Sequence, residues 1–266
     1  MLLVDLAGAV ILGLVEGVTE FIPVSSTAHL ILVGDLLGWT GETAKTFEIF
    51  IQLGAILAVM WLYRGRVLRL LGCLWVRSER PLAAAILVSF LPAALAGLLL
   101  HSYIKLYLFS PLLVGFTLAA GGIAILIVER LARPSLDDAI DSISWRHALG
   151  IGLAQCLSLV PGVSRSAATI MGGMALGVPR RAATEYSFFL AIPTMFAATL
   201  FDLAKHAGQM TPADAADFAA GFAVAFVSAL LIVRGFLKFV QHHSFVGFAW
   251  YRIGFGALVV IYYICK

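Results

Sequence analysis

Charge is scarce in this chain. Only 12% of its 266 residues are Asp, Glu, Lys or Arg, against 61% hydrophobic, where a soluble domain carries about 25% charged residues. That shortage, with a mean hydropathy of +0.99, excludes an ordinary soluble domain and makes the chain an integral membrane protein. The excess of positive charge, +3 at pH 7, is too small to draw the chain to nucleic acid. Cysteine is also rare: Cys73, Cys156 and Cys265 are odd in number, far apart and without metal-ligand spacing, which argues against a disulfide framework or thiolate metal centre and leaves packing roles. The opening MLLVDLAGAVILGLVEG has no basic start and no A-x-A-like end, so it is not expected to be a cleaved signal peptide.

Against that background, residues 16–29 (EGVTEFIPVSSTAH) gather Glu16, Glu20, Ser25, Ser26, Thr27 and His29. Ionisable groups are costly inside a membrane and mark function. If the segment is helical through Ile22, Glu16 and Glu20 lie one turn apart on one face. Two like charges so placed call for a proton, a cation or a bound divalent metal. Pro23 ends or restarts the helix, and Ser25, Ser26 and Thr27 suit the first turn of a new one, whose free N–H groups and positive dipole end form an anion site. His29, three residues after Ser26, shares that face and is placed to exchange a proton with it. The competing reading, a kinked amphipathic helix with solvated glutamates, fits poorly because no polar face continues on either side.

Helix, break and helix over residues 3–37 read as a re-entrant hairpin, since irregular backbone at depth is tolerated only where protein or a cavity surrounds it. Crossings are expected at 46–63, 82–100 and 109–128, with a kink at Pro92 and an external turn from His101 to Tyr107. Arg64, Arg66, Arg69, Arg77 and Arg80 form the densest basic loop and place it in the cytoplasm. Residues 147–178 repeat the first layout: QCLSLVPGVSRSAAT again gives apolar helix, Pro and hydroxyls, here Ser164, Ser166 and Thr169 around Arg165. Crossings at 184–204, 217–237 and 245–265 complete the chain.

The expected fold is therefore an all-α integral membrane protein, one domain over 1–266, with six transmembrane helices and two re-entrant hairpins. Repeat 1 covers about 1–130 and repeat 2 about 147–266. Three crossings separate the hairpins, which inverts the second copy. The first hairpin then enters from outside and the second from the cytoplasm, so their breaks meet near mid-membrane. A buried Arg165 beside a helix N-terminus needs an anion: phosphate suits its bidentate fork, and an ion pair with Glu16 or Glu20 is the alternative. Arg252, in the last apolar run, either snorkels or pairs inward.

EGVTEFIPVSSTAHL and PGVSRSAATIMGGMALGV resemble the two signature regions of the bacterial undecaprenyl pyrophosphate phosphatases, a family associated with bacitracin resistance. E-x-x-x-E and P-G-x-S-R-S-x-x-T are both complete; Ala28 departs from the more usual Gly before the His. The resemblance implies removal of the terminal phosphate of undecaprenyl pyrophosphate, dependence on Mg²⁺ or Ca²⁺, and a multi-pass protein of the bacterial cytoplasmic membrane. Its site would open outward, and with this topology both termini lie outside. It also implies Ser26 as nucleophile or main phosphate contact and His29 as proton donor or nucleophile. Glu16 and Glu20 become metal or acid/base residues and Arg165 the phosphate clamp, with Ser25, Thr27, Ser164, Ser166 and Thr169 around the phosphate. Ser26, His29 or a water remains open as the attacking group. A secondary transporter or flippase of a polyprenyl phosphate lipid is the alternative function; oligomeric state is not readable.

Overall fold

In the computed structural model, which describes residues 6–108, 110–206 and 215–266, the chain is helical throughout, with no strand among the described residues. The helices are α1 (Leu6–Thr19), α2 (Ser26–Leu36), α3 (Glu42–Leu62), α4 (Arg64–Leu71), α5 (Arg80–Tyr107), α6 (Pro111–Leu131), α7 (Trp145–Gln155), α8 (Arg165–Ala175), α9 (Arg180–His206), α10 (Ala215–His242) and α11 (Val246–Cys265). Their starts follow local chemistry. Pro111 opens α6 and Pro81 sits in the first turn of α5, where a missing N–H costs nothing. The Ser164 hydroxyl accepts a hydrogen bond from Ala167 N and caps α8.

Among the described residues, five helices are long and apolar enough to cross a membrane: Thr43–Leu62, Arg77–Leu100, Pro111–Leu131, Ala215–His242 and Val246–Cys265. The chain is a multi-pass membrane protein. The crossing expected at 184–204 lies on α9, a helix of 27 residues with Thr184 and Ser187 fully buried. Two expectations need correction. Residues 101–107 are no turn, because α5 continues through Tyr107. The basic loop after Tyr63 begins as helix α4, whose arginines alternate with Val67, Leu68, Leu70 and Leu71. Residues 3–5 of the first expected hairpin fall outside the described residues.

The packing runs through small residues. α1 lies on α10, α6 on α11, and α7 on α5. A Cβ placed on Gly13 would strike the Gly221 carbonyl, one on Gly17 the Ser228 hydroxyl, and one on Gly152 the backbone of Ser89. Such backbone approach is how membrane helices associate where lipid is as apolar as the side chains. Gly13→Ala is expected to lower stability in detergent by about 1–3 kcal/mol, the usual cost of overpacking. Gly235→Ala, where nothing lies within 4 Å, should leave thermal unfolding unchanged.

Ion pairs collect several helix ends at one end of the molecule. Arg66 bridges Glu79 at 2.9 Å and Asp141, and Arg180 pairs with Glu129, whose other contact is the Phe245 amide at 2.7 Å. At the far end of α3, Lys266 holds Asp35 at 2.6 Å. The molecule thus has an arginine-rich end, a second end closed by Asp35 and Lys266, and two helix breaks between them.

Candidate active site

Both breaks turn on a serine in the left-handed region: Ser25 at φ 72° and Ser164 at φ 73°, the only two non-glycine residues with positive φ among those described. Such a conformation costs about 1–3 kcal/mol and persists at sites where the surroundings enforce it. Each serine is followed at once by an 11-residue helix, α2 or α8, so two helix N-termini with free N–H groups begin at the breaks.

The two breaks touch. Ser166 donates to the Ile22 carbonyl at 2.9 Å and lies 3.0 Å from the Ser164 hydroxyl. Arg165, the first residue of α8, reaches back to Glu20 Oε1 through Nε at 3.4 Å and Nη2 at 3.3 Å. The other Glu20 oxygen accepts the Ser26 hydroxyl at 2.5 Å. One carboxylate therefore joins the candidate nucleophile from α2 to the guanidinium from α8, 145 residues away. The side chains of Glu20 and Arg165 are each 10% exposed, a position sheltered from bulk water but reachable. The two contacts differ in quality. The Ser26 bond is short, whereas both Arg165 bonds exceed the usual 2.7–3.2 Å range.

Arg165 has further support. Nη1 donates to the Ser187 carbonyl at 3.1 Å, and Thr169 Oγ1 is 2.7 Å from the Ser187 hydroxyl while also donating to the Arg165 carbonyl. The Phe21 ring lies under the guanidinium, 5.7 Å from centroid to Cζ.

The one-turn spacing of Glu16 and Glu20 holds: the Glu20 N–H donates to the Glu16 carbonyl at 2.9 Å. The Glu20 side chain turns to Ser26 and Arg165, while Glu16 stays fully buried with neither carboxylate oxygen partnered. His29 is placed differently from the expectation. His29 does not face Ser26. Its Nδ1 is 2.7 Å from the Ser25 carbonyl, which only accepts, so Nδ1 carries the proton. In the neutral ring Nε2 then accepts from the Tyr251 hydroxyl at 2.7 Å. The ring is stacked on Phe255 at 4.3 Å and parallel to Tyr251 at 5.8 Å. Thr27 is half-buried beside the break and enters none of these bonds.

Three residues go beyond the sequence reading. Ser187 and Tyr251 carried no motif, and Arg252 had two readings, of which the inward one holds. A signal for Ser187 existed: the register that lays Ser25 on Ser164 also lays Glu48 on Ser187 and Glu16 on Gln155, each of the last two fully buried with an unpartnered side-chain atom.

The bacitracin resistance protein BacA family model matches residues 9–258. Similar chains include the undecaprenyl-diphosphatase of Nitrosomonas europaea, 51% identical over 253 residues that make up 95% of this chain and 93% of that protein. That of Methylococcus capsulatus is 52% identical over 261 residues, 98% and 96% of the two chains. The Nitrosospira multiformis protein is 53% identical over 254 residues, 94% and 92%. A match that begins within α1, passes through both serine breaks and ends within α11 covers every element described above: the chain belongs to the bacitracin resistance protein BacA family.

Proposed function

We propose that this chain is an undecaprenyl-diphosphatase, which removes the terminal phosphate of undecaprenyl pyrophosphate to give the monophosphate lipid carrier of cell-envelope synthesis. Bacitracin resistance follows from the family. The observation that carries the catalytic reading is Glu20, holding the Ser26 hydroxyl on one oxygen and Arg165 on the other.

The diphosphate docks on the N-termini of α2 and α8. Its terminal phosphoryl group takes the Arg165 fork, displacing the long contacts to Glu20. Ser26 Oγ attacks that phosphorus as its proton passes to Glu20. A bond from Oγ to phosphorus forms, the bridging phosphorus–oxygen bond breaks, and undecaprenyl phosphate leaves with the proton that Glu20 hands to its freed oxygen. Water then attacks the phosphoserine and gives its proton to Glu20, the bond from Ser26 Oγ to phosphorus breaks, Oγ takes the proton back from Glu20, and inorganic phosphate is released. Arg165 and the helix N-termini stabilise the charge that spreads over the transferring group, where most of such catalysis lies. His29 holds the strained Ser25 turn through Nδ1 and, with Ser25 and Thr27, shapes the wall beside the leaving phosphate. Ser164, Ser166 and Thr169 fix the position of Arg165.

A divalent cation, Mg²⁺ or Ca²⁺, fits the residues present: both Glu16 oxygens are buried and without a partner, as a hard cation's ligand requires. Among the described residues no three His, Cys, Asp or Glu gather into a metal site of their own, so Glu16 and Glu20 would share the ion with phosphate oxygens and water, the arrangement Mg²⁺ favours. Bound there, it would neutralise charge on the diphosphate. Glu16→Gln is expected to raise the cation concentration giving half-maximal turnover by at least about 10-fold, since even outer-shell partners are worth about 10- to 100-fold. An unchanged cation dependence counts against Glu16 as a ligand.

The architecture that suits this chemistry is an inverted repeat with two re-entrant hairpins, α1–α2 and α7–α8, and α9 as sixth crossing. Supporting it, α2 and α8 have equal length and begin 139 positions apart, as do the two positive-φ serines. In the orientation proposed with it, the site opens outward and both termini lie outside. In that topology 12 of the 18 Lys and Arg residues fall at the inner end, as the positive-inside rule requires. Broken helices at mid-membrane also suit transport, but a carrier has no use for a hydroxyl held by a carboxylate. The pure protein in detergent, where no sides exist, is expected to release phosphate from undecaprenyl pyrophosphate; binding without release would favour a carrier.

A further inference from the structure

Arg252 is the largest fully buried side chain among the described residues. It lies in the first half of α11, away from any motif, and each of its hydrogen bonds ends on a backbone carbonyl. Nη1 donates to Pro23 at 3.1 Å; Nη2 donates to Gly162 and Val163, both at 3.0 Å; Nε donates to Leu118 at 3.3 Å. A buried guanidinium ordinarily sits beside a carboxylate. Here it meets the carbonyls of both breaks and of α6. One neighbour makes room for it and another closes the same break. Gly121 faces the guanidinium, so any Cβ there would collide with Nη2. Thr117 of α6 donates to the Pro161 carbonyl at 2.6 Å, closing the second break from the same side.

We propose that Arg252 is a positioning residue that sets the register of the two breaks, and so the distance between Ser26 and Arg165. The geometry requires a guanidinium. Pro23 lies three residues before Ser26, and Gly162 and Val163 lie three and two residues before Arg165. A single planar group with five donors spans both. The neighbouring carbonyls are fixed in the same act, and the backbone turns that aim the two N-termini at a common point are held without any side chain entering the phosphate site. Lysine, with donors radiating from one atom, reaches one break or the other but does not brace both. Because misplacement by about 1 Å can cost about 10²-fold in rate, the loss falls on turnover more than on binding.

This inference rests on the reading of the site given above. The experiment compares Arg252→Lys and Arg252→Ala with the parent protein in detergent, measuring kcat and KM for undecaprenyl pyrophosphate together with thermal unfolding. Arg252→Lys is expected to stay folded at the assay temperature, lose about 10²-fold in kcat, and keep its KM. Adding methylguanidinium to Arg252→Ala should restore part of kcat, and methylammonium should not. Parental kcat in Arg252→Lys overturns the inference, as does a loss that only tracks unfolding or that methylguanidinium leaves untouched in a folded Arg252→Ala. If Arg252→Ala does not fold, the kcat of Arg252→Lys decides. The two readings fail differently. An active parent with a normal Arg252→Lys sinks only the positioning role, whereas a parent that releases no phosphate sinks the phosphatase reading itself.

Discussion

Glu20→Gln lowers kcat by about 10²- to 10⁴-fold, the range lost when a positioned general base is removed, while KM stays near the parent value. The amide is close to isosteric and can still accept the Ser26 hydroxyl, but it takes up no proton. Ser26 then has no nearby base, because His29 is committed to the Ser25 carbonyl and the Tyr251 hydroxyl. The neutral residue also releases Arg165, so phosphate binding is not weakened and the effect appears in turnover. Steady-state phosphate release in detergent separates the two parameters. A large rise in KM with little change in kcat would move Glu20 from base to binding residue.

Arg165→Lys costs about 10²- to 10³-fold in kcat/KM, comparable to losing one donor of an oxyanion site. The arginine now rests on three supports: the Ser187 carbonyl, the Phe21 ring and two long bonds to Glu20. The first two hold its stem and plane in place, and the long pair is what the incoming phosphoryl group replaces. An ammonium keeps the charge but presents no fork, so it neither engages two phosphate oxygens nor keeps the Ser187 contact at the same time. Both KM and kcat are expected to worsen. The double variant Glu20→Gln/Arg165→Lys should lose less than the product of the single losses, because the two side chains share one contact and one transition state.

Much of this arrangement was legible in the sequence. The two Pro-interrupted polar segments in an apolar chain located both breaks, because buried polar groups are too costly to be incidental there. The uncharged runs 82–100 and 109–128 located two of the helices long and apolar enough to cross a membrane, and the arginines after Tyr63 marked one end. What the sequence could not show lies in directions. Spacing placed Glu16 and Glu20 one turn apart, as the 2.9 Å bond from the Glu20 N–H to the Glu16 carbonyl bears out, but it did not show that Glu20 alone reaches Ser26 and Arg165. His29 shares a face with Ser26 by count, but the left-handed turn at Ser25 brings the carbonyl of that residue under the imidazole. Residues 101–107 looked like a loop because the hydropathy falls, whereas helix propensity carries α5 on to Tyr107. α9 was legible as an apolar segment at 184–204, but not the inward direction of Ser187, which meets Arg165 and Thr169. Arg252 was visible as an anomaly, but carbonyls give no sequence signature, so its partners emerge only in three dimensions.

In the proposed mechanism two breaks far apart in the chain build one phosphoryl-transfer site in which Ser26 is the attacking group. Rapid quenching of the enzyme with undecaprenyl pyrophosphate labelled in its terminal phosphate, followed by mass-spectrometric mapping, tests this directly. Label is expected on Ser26, formed at least as fast as turnover and absent from Glu20→Gln over the same interval. Label on His29, or full turnover by Ser26→Ala, would contradict it.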